Sequence, residues 1–574
     1  MEKKSERRGL GRGLSALLAD VNPSAASMAA SPDGARATQV LAVERVQPNP
    51  NQPRRIFAPE ALDQLAQSIR QKGIVQPLIV RAIGQDGQYE IVAGERRWRA
   101  AQIAGLHEVP VVVRDFDDAE VLEIAIIENI QREDLNAIEE ALAYRQLIDR
   151  FGHTQEKLAE ALSREHGKTI PDAKGDIQRG LEVIEFCCGI PHVMKGEYSQ
   201  GAGPGIDVYS MRQPIGVGAG ITPFNFPGMI PLWMCGPAIA TGNAFIIKPS
   251  ERDPSVPVRL AELFIEAGLP EGICQVVHGD KEMVDAILDH PAIGAVSFVG
   301  SSDIAHYVYN RGVANGKRVQ AMGGAKNHGI VMPDADLDQV VNDLAGAAFG
   351  SAGERCMALP VVVPVGDDTA ERLKAKLIPA IQALRVGVST DAEAHYGPVV
   401  TAQHKAKVEG WIQTCVDEGG ELIVDGRGFK LQGHEEGYFI GPTLFDHVTT
   451  DMESYKEEIF GPVLQIVRAA NFEEALALPS KHQYGNGVAI FTRNGRAARE
   501  FAARVNVGMV GINVPIPVPV AYHSFGGWKR SAFGDTNQHG MEGVKFWTKV
   551  KTITQRWPDG SPDGGNAFVI PTMG

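Results

Sequence analysis

The sequence predicts an α/β protein in two unlike parts: a small α+β unit, then a larger one built on a doubly wound, mostly parallel sheet. Three observations carry this. After Ser163, short apolar strands such as Ala244–Ile247, Gln275–Val277 and Ala295–Phe298 alternate with amphipathic stretches such as Val258–Ala267 and Lys281–Leu288. That alternation marks parallel strands joined by helical crossovers. Before Leu162, a strand instead runs through Gly94 into an arginine-rich helix. The chain has 574 residues, 44% of them hydrophobic and 22% charged, which suits roughly three or four units with ordinary cores.

Residues 1–38 are rich in Ala, Ser, Gly and Arg with little periodicity, and read as a mobile tail. Within it Leu10–Leu18 has the pattern of a short amphipathic helix that forms on a partner, or stays an unstructured leader. Order begins near Val43. Leu62, Leu65 and Ile69 recur at helical spacing, and Gly73 is placed to end that helix. Leu78–Val80, Tyr89–Val92 and Val109–Val113 read as strands, the last with a proline, Pro110, that points to a sheet edge. Ile138, Leu142 and Phe151 lie along a further helix, and Thr154 is a credible N-cap for a short helix from Gln155 to Leu162.

The net charge of −14 argues against a generally nucleic-acid-seeking surface, with one local basic patch at Lys3, Lys4, Arg7, Arg8 and Arg12. No apolar run reaches membrane-spanning length and the start lacks a secretion signal, so a cytoplasmic address is expected. The six cysteines, Cys187, Cys188, Cys235, Cys274, Cys356 and Cys415, have no metal-like spacing and are expected to be free thiols.

At Gly94 the strand-to-helix turn gathers backbone N–H groups with Arg96, Arg97 and Arg99, where an anion such as a polyphosphate would sit. Glu128 and Asn129 offer oxygen ligands suited to Mg²⁺, with Arg132 near enough to meet phosphate. In order, Gln52-Pro53-Arg54-Arg55, Gly94-Glu95-Arg96-Arg97 and Glu128-Asn129-Ile130-Gln131-Arg132 resemble the ParB chromosome-partition proteins over residues 1–162. The resemblance implies a CTP site in which Gly94, Glu95, Arg96, Arg97 and Arg132 meet the nucleotide, Glu128 and Asn129 hold Mg²⁺, and Gln52 serves hydrolysis. It also implies a ParA-type ATPase touching the tail. In that family the 155–162 helix opens a helix-turn-helix; here Ser163-Arg164-Glu165-His166-Gly167-Lys168 follows instead, so sequence-specific DNA binding is not expected.

In the second part Cys356 is the candidate nucleophile, preceded by the small, flexible Gly350-Ser351-Ala352-Gly353 and by Arg355, whose charge favours thiolate. Asn225, in the rigid turn Thr222-Pro223-Phe224-Asn225-Phe226-Pro227, could pair with the Cys356 N–H as an oxyanion site. Lys248 and Glu251 follow one strand and can grip ribose hydroxyls; Gly300-Ser301 follows another and admits a pyrophosphate to a helix start. With Glu457-Glu458-Ile459-Phe460-Gly461-Pro462 and Ser524-Phe525-Gly526-Gly527, this set resembles the aldehyde dehydrogenase superfamily over residues 163 to about 557. The resemblance implies that Cys356 attacks an aldehyde and Asn225 steadies the oxyanion. Thr222, Phe224, Lys248, Glu251, Gly300, Ser301, Glu458 and Phe460 would then contact NAD.

Hydrolytic members carry a glutamate before the Gly-Gly that here is Gly323-Gly324, and Ala321 is read at that place. Without a base, another nucleophile must release the acyl group. With Gly175–Glu182 and Gly-Glu-Arg-Cys-Met, this resembles the CoA-acylating methylmalonate-semialdehyde dehydrogenases. Arg179 and Arg355 are the carboxylate-binding candidates, with Phe525 beside the substrate.

The expected organisation is a tail (1–38), a ParB-like nucleotide-binding domain (39–135), a truncated helix-turn-helix region (136–162), and an aldehyde dehydrogenase-like remainder. The last comprises a Rossmann-like NAD domain (163–323) with bridging strands near 196–214, an α/β catalytic domain (324–530), and an oligomerisation strand and tail (531–574). The family's upstream strands are missing before Ser163, so exposed apolar surface and an unpaired sheet edge are expected. The expected function is NAD-dependent, CoA-acylating oxidation of methylmalonate or malonate semialdehyde by a homo-oligomer. The alternative is a CTP-binding partition module with an inactive passenger.

Overall fold

A computed structural model describes residues 39–48, 59–74, 77–83, 87–114 and 155–557. The tail 1–38, Gln52, the Glu128–Arg132 motif, the helix of Ile138, Leu142 and Phe151, the Thr154 cap and residues 558–574 lie outside the described residues. The chain divides into two compact units, residues 1–154 and 155–574.

In the first unit five strands, β1 (Gln39–Ala42), β2 (Val46–Gln47), β3 (Leu78–Ile83), β4 (Gln88–Ala93) and β5 (Glu108–Val113), form one sheet in the order β1-β5-β3-β4-β2. Helices α1 (Pro59–Lys72) and α2 (Glu95–Ala104) meet through Ala66, Ile69 and Ala100. Gly73 does end α1: at φ +70° it donates its N–H to the Ile69 carbonyl at 2.9 Å. Pro110, however, is not on an edge strand, because β5 lies between β1 and β3. It is tolerated because pairing with β3 begins one residue later, at Val111.

The second unit opens with helix α3 (155–166), followed by α4 (Ile170–Cys188). Leu158, Ala159 and Leu162 are buried in one cluster with Ala173, Ile177 and Val183 of α4 and with Trp233. The boundary expected at Leu162–Ser163 therefore falls inside a helix whose described residues all belong to the second unit, and the units divide at Thr154–Gln155. Residues 158, 159 and 162 form a helical stripe that would serve any core, so the sequence does not say which core it meets.

Next come β6 (Tyr198–Gly203), β7 (Ile206–Pro214), β8 (Val217–Ile221), α5 (Met229–Ala240), β9 (Ala244–Lys248), β10 (Cys274–Val276), β11 (Ile293–Val299), α6 (Ser302–Ala314) and β12 (Arg318–Met322). Strands β8 to β12 lie parallel in the order β10-β9-β8-β11-β12, closed by an antiparallel pair from Ala532–Phe533. Those two residues thus belong to the nucleotide-type sheet and not to the C-terminal segment in which 531–574 placed them. The open edges of this sheet are only three and two residues long, which leaves little ladder exposed. A seven-stranded sheet, parallel except for Glu421–Val424, spans His328–Ile512 and carries the second core. Thr548–Arg556 pairs antiparallel with β7 along its whole length. Among the described residues all six cysteines are free.

Candidate active site

The Cys356 loop is held by backbone strain and by distant amides. Ser351 and Ala352 both sit at φ +53°, a left-handed geometry that is costly for residues with a Cβ. Gly353, at φ +72°, lies so near the Gly461 carbonyl that no Cβ would fit. The Cys356 carbonyl accepts from Asn327 Nδ2 and Asn486 Nδ2, each at 3.0 Å, and Asn327 Oδ1 takes the Gly487 N–H at 2.9 Å. Neither asparagine was legible in the sequence, since each acts from far along the chain.

Asn225 is buried beside this loop, and its Nδ2 donates to the Glu354 carbonyl at 3.0 Å. Burial, with Glu458 nearby, pushes the Cys356 thiol up to about 12, although its own N–H, that of Met357 and the Arg355 charge pull it down. Arg355 does favour thiolate, as expected, but burial outweighs it. Arg355 is engaged elsewhere: its Nη2 lies 2.6 Å from Asp172 Oδ1. Burial alone would raise Asp172, but Arg355 and Lys168 hold it below its usual range.

A cavity of about 950 Å³ brings together Cys356, Asn225, Thr222, Phe224, Lys248, Glu251, Gly300, Ser301, Glu458 and Phe460, within the size range of cofactor sites. Lys248 Nζ and Glu251 Oε2 pair at 3.1 Å, the lysine enclosed and the carboxylate mostly open. Ser301 precedes the first turn of α6, a thirteen-residue helix whose free N–H groups suit an anion. A Cβ on Gly323 would meet Ser302 Oγ at 2.6 Å and one on Gly324 would meet Glu458 at 2.5 Å. A side chain at Gly324 would displace the Glu458 carboxyl, which accepts the Ala325 N–H at 2.8 Å and is pushed up to about 7 by burial. An enclosed lysine, an open carboxylate, a helix start and a second carboxyl fit the two riboses and pyrophosphate of NAD. His404 and Lys407, which sequence reasoning missed, also line the cavity.

Arg179, Arg355 and Phe525 do not line this cavity. Arg179 pairs with Glu182 at 2.6 Å and donates to the Val518 carbonyl at 3.1 Å. Phe525 packs 5.2 Å from Trp233, whose Nε1 donates to the Arg179 carbonyl.

The reading of Ala321 as the base position needs correction by one residue. Ala321 pairs with Phe298 and is buried with Phe298, Val319 and Ala305. Met322 pairs with Val299, which packs against the cluster that also takes Cys356. Paired residues share a face, so Met322 is the side chain directed to the nucleophile's side of the sheet. No carboxylate stands at either position.

In the small unit Gly94 is at φ +104° and caps α2. Arg97 donates to the Pro77 carbonyl at 2.9 Å and Arg99 pairs with the buried Glu95 at 2.7 Å. Arg96 lies half-buried in the same first turn.

The aldehyde dehydrogenase family profile matches residues 128–553, and the ParB N-terminal domain profile matches residues 28–130. A malonate-semialdehyde dehydrogenase from Pseudomonas aeruginosa is 56% identical over 430 residues, 75% of this chain and 86% of that protein. An acylating mitochondrial methylmalonate-semialdehyde dehydrogenase from Arabidopsis thaliana is 50% identical over 418 residues, 73% of this chain and 68% of that one. An NAD-complexed crystal structure from Sinorhizobium meliloti is 62% identical with a TM-score of 0.71, covering 79% of this chain and 93% of that chain.

Proposed function

Because the chain belongs to the aldehyde dehydrogenase family, we propose that its large unit is an NAD-dependent, CoA-acylating dehydrogenase of malonate and methylmalonate semialdehydes, giving acetyl-CoA and propionyl-CoA. The observation that carries this reading is the pairing of Cys356 with Asn225 in a cavity whose other walls suit a dinucleotide. Cys356 Sγ adds to the aldehyde carbon as its proton passes to solvent. Asn225 Nδ2 and the Cys356 N–H take the oxyanion. Bound NAD supplies the hydride acceptor, held by Lys248, Glu251, Ser301 and Glu458 with Thr222, Phe224, Gly300 and Phe460 around it. Loss of hydride leaves the acyl group as a thioester on Cys356.

Met322 accepts no proton, so water attack is slow and the CoA thiolate displaces the Cys356 thiolate. Arg179 and Arg355 lie outside that cavity, and to receive the substrate carboxylate each gives up its present partner, Glu182 and Asp172. That carboxylate departs as CO₂ and the carbanion left behind takes a proton. We place the protein in the cytoplasm as a homo-oligomer joined through the sheet of β6, β7 and Thr548–Arg556; among the described residues no helix is long and apolar enough to cross a membrane. The test is NADH formation from either semialdehyde. Without CoA it stops near one turnover per site, and CoA restores cycling; sustained turnover to free acid without CoA refutes the acylating step.

The match of residues 28–130 to the ParB N-terminal profile supports a second proposal for the small unit. It binds CTP with Mg²⁺ at the Gly94 turn, with Arg96 and Arg97 on the phosphates, and meets a ParA-type ATPase through its tail. CTP, and not ATP, then slows hydrogen exchange at residues 94–99; equal protection by both nucleotides refutes it.

A further inference from the structure

Behind the Asn225 turn lies an ion pair that the chemistry above does not use. Lys168 and Asp176 side chains are both fully enclosed, with Nζ 3.4 Å from Oδ2. A buried ammonium is costly unless its protons are accepted. Lys168 Nζ places one on the backbone carbonyl of Asn225 at 2.6 Å, and sits 4.4 Å from the centre of the Phe226 ring. Asp176 Oδ1 in turn accepts the Met229 N–H at 2.6 Å. A Cβ on Gly228 would meet Ile177 Cδ1 at 2.5 Å and Asp176 Oδ1 at 3.2 Å, so α4 lies directly against the turn. The segment 225–229 is therefore gripped at both ends by one pair of charges.

The Asn225 side chain itself is held beside the nucleophile by its bond to the Glu354 carbonyl. A developing oxyanion must take that same Nδ2–H, and a donor contributes only if it stays fixed while charge develops. With the side-chain bond given up, the main-chain bond from Lys168 is what keeps Asn225 in place. We propose that Lys168, oriented by Asp176, is a positioning residue for the oxyanion site, acting through the Asn225 main chain. The inference rests on the aldehyde-oxidising reading of the same site.

The experiment is a double-mutant cycle on the full chain, reading the first-turnover rate of NADH formation at saturating semialdehyde. Lys168→Met is expected to slow that step by about 10²-fold, the scale of losing one oxyanion donor. NAD affinity and the rate of Cys356 alkylation by iodoacetamide should stay within about twofold, a split that general loosening of the fold would not give. Adding Lys168→Met to Asn225→Ala should cost almost nothing further, because the two act as one unit. Lys168→Gln, which keeps a neutral N–H for the Asn225 carbonyl, should recover at least about tenfold over Met; if Met does not fold, the cycle is run with Gln.

Full additivity of the two losses, or a native first turnover in Lys168→Met, overturns the proposal. An unmodified protein that forms no NADH from semialdehyde refutes the function itself. The Lys168 effect is then read on the propanal first turnover, which needs the same oxyanion site, and no effect there overturns the positioning role as well.

Discussion

Replacing Leu162 by Ala tests whether α3 belongs to the dehydrogenase core. Leu162 is fully buried among Leu158, Ala159, Ala173 and Ile177. Leu→Ala at such a site removes transfer energy and leaves a cavity, together costing about 2–5 kcal/mol. For a unit of about 400 residues, an unfolding entropy of about 2.1 cal/mol/K per residue turns that cost into a midpoint lowered by about 2–6 °C. The assay is thermal unfolding followed by the loss of NAD-dependent activity, so that only the second unit is scored. Glu160→Ala, on the exposed side of the same helix, is the control and should change stability by no more than about 0.5 kcal/mol. If Leu162→Ala left that midpoint unchanged, the helix would not be part of the enzyme core and the division at Thr154–Gln155 would be misplaced.

Cys356→Ala should abolish NADH formation while leaving NAD affinity nearly intact in a fluorescence titration, since the dinucleotide cradle lies on other elements; retained turnover removes Cys356 as nucleophile. Met322→Glu, and not Ala321→Glu, should raise CoA-independent hydrolysis, by a general-base gain on the order of 10² at best; the reverse order contradicts the strand register. Burial pushes Glu354 up to about 8 from its ordinary 4.5. Between those values the folded chain keeps a proton that the unfolded chain has released, so this group's contribution to stability falls as pH rises. Glu354→Gln removes that slope, and its urea midpoint relative to the unmodified protein should climb between pH 5 and pH 8; parallel profiles refute the assignment.

Features set by neighbouring residues were legible in the sequence. Ala244–Ile247 became Ala244–Lys248 and Ala295–Phe298 became Ile293–Val299, and the Gly300-Ser301 turn does open a helix. The cavity also gathers the cofactor-type residues named from their motifs, because the Thr222, Lys248 and Gly300 motifs each lie at the end of a strand that the parallel sheet brings together, with Glu458 and Phe460 added from a loop before a strand of the other sheet. Features set across the chain were not legible. Asn327 and Asn486 reach the Cys356 carbonyl from 29 and 130 residues away. Ala321 and Met322 differ by one position, yet strand geometry sends their side chains to opposite faces. Arg355 precedes the thiol in sequence but spends its charge on Asp172, and burial sets the thiol's proton affinity.

A helix whose apolar stripe suits two unrelated cores is a place where genes can be exchanged in frame with no loop to build and no cap to replace. The 155–162 stretch resembles the opening of one family's DNA-binding motif, yet its apolar residues are buried in a core of the aldehyde dehydrogenase-like unit. Nothing in the fold marks Leu162–Ser163 as a boundary, because the residues on both sides of it are buried together in the second unit.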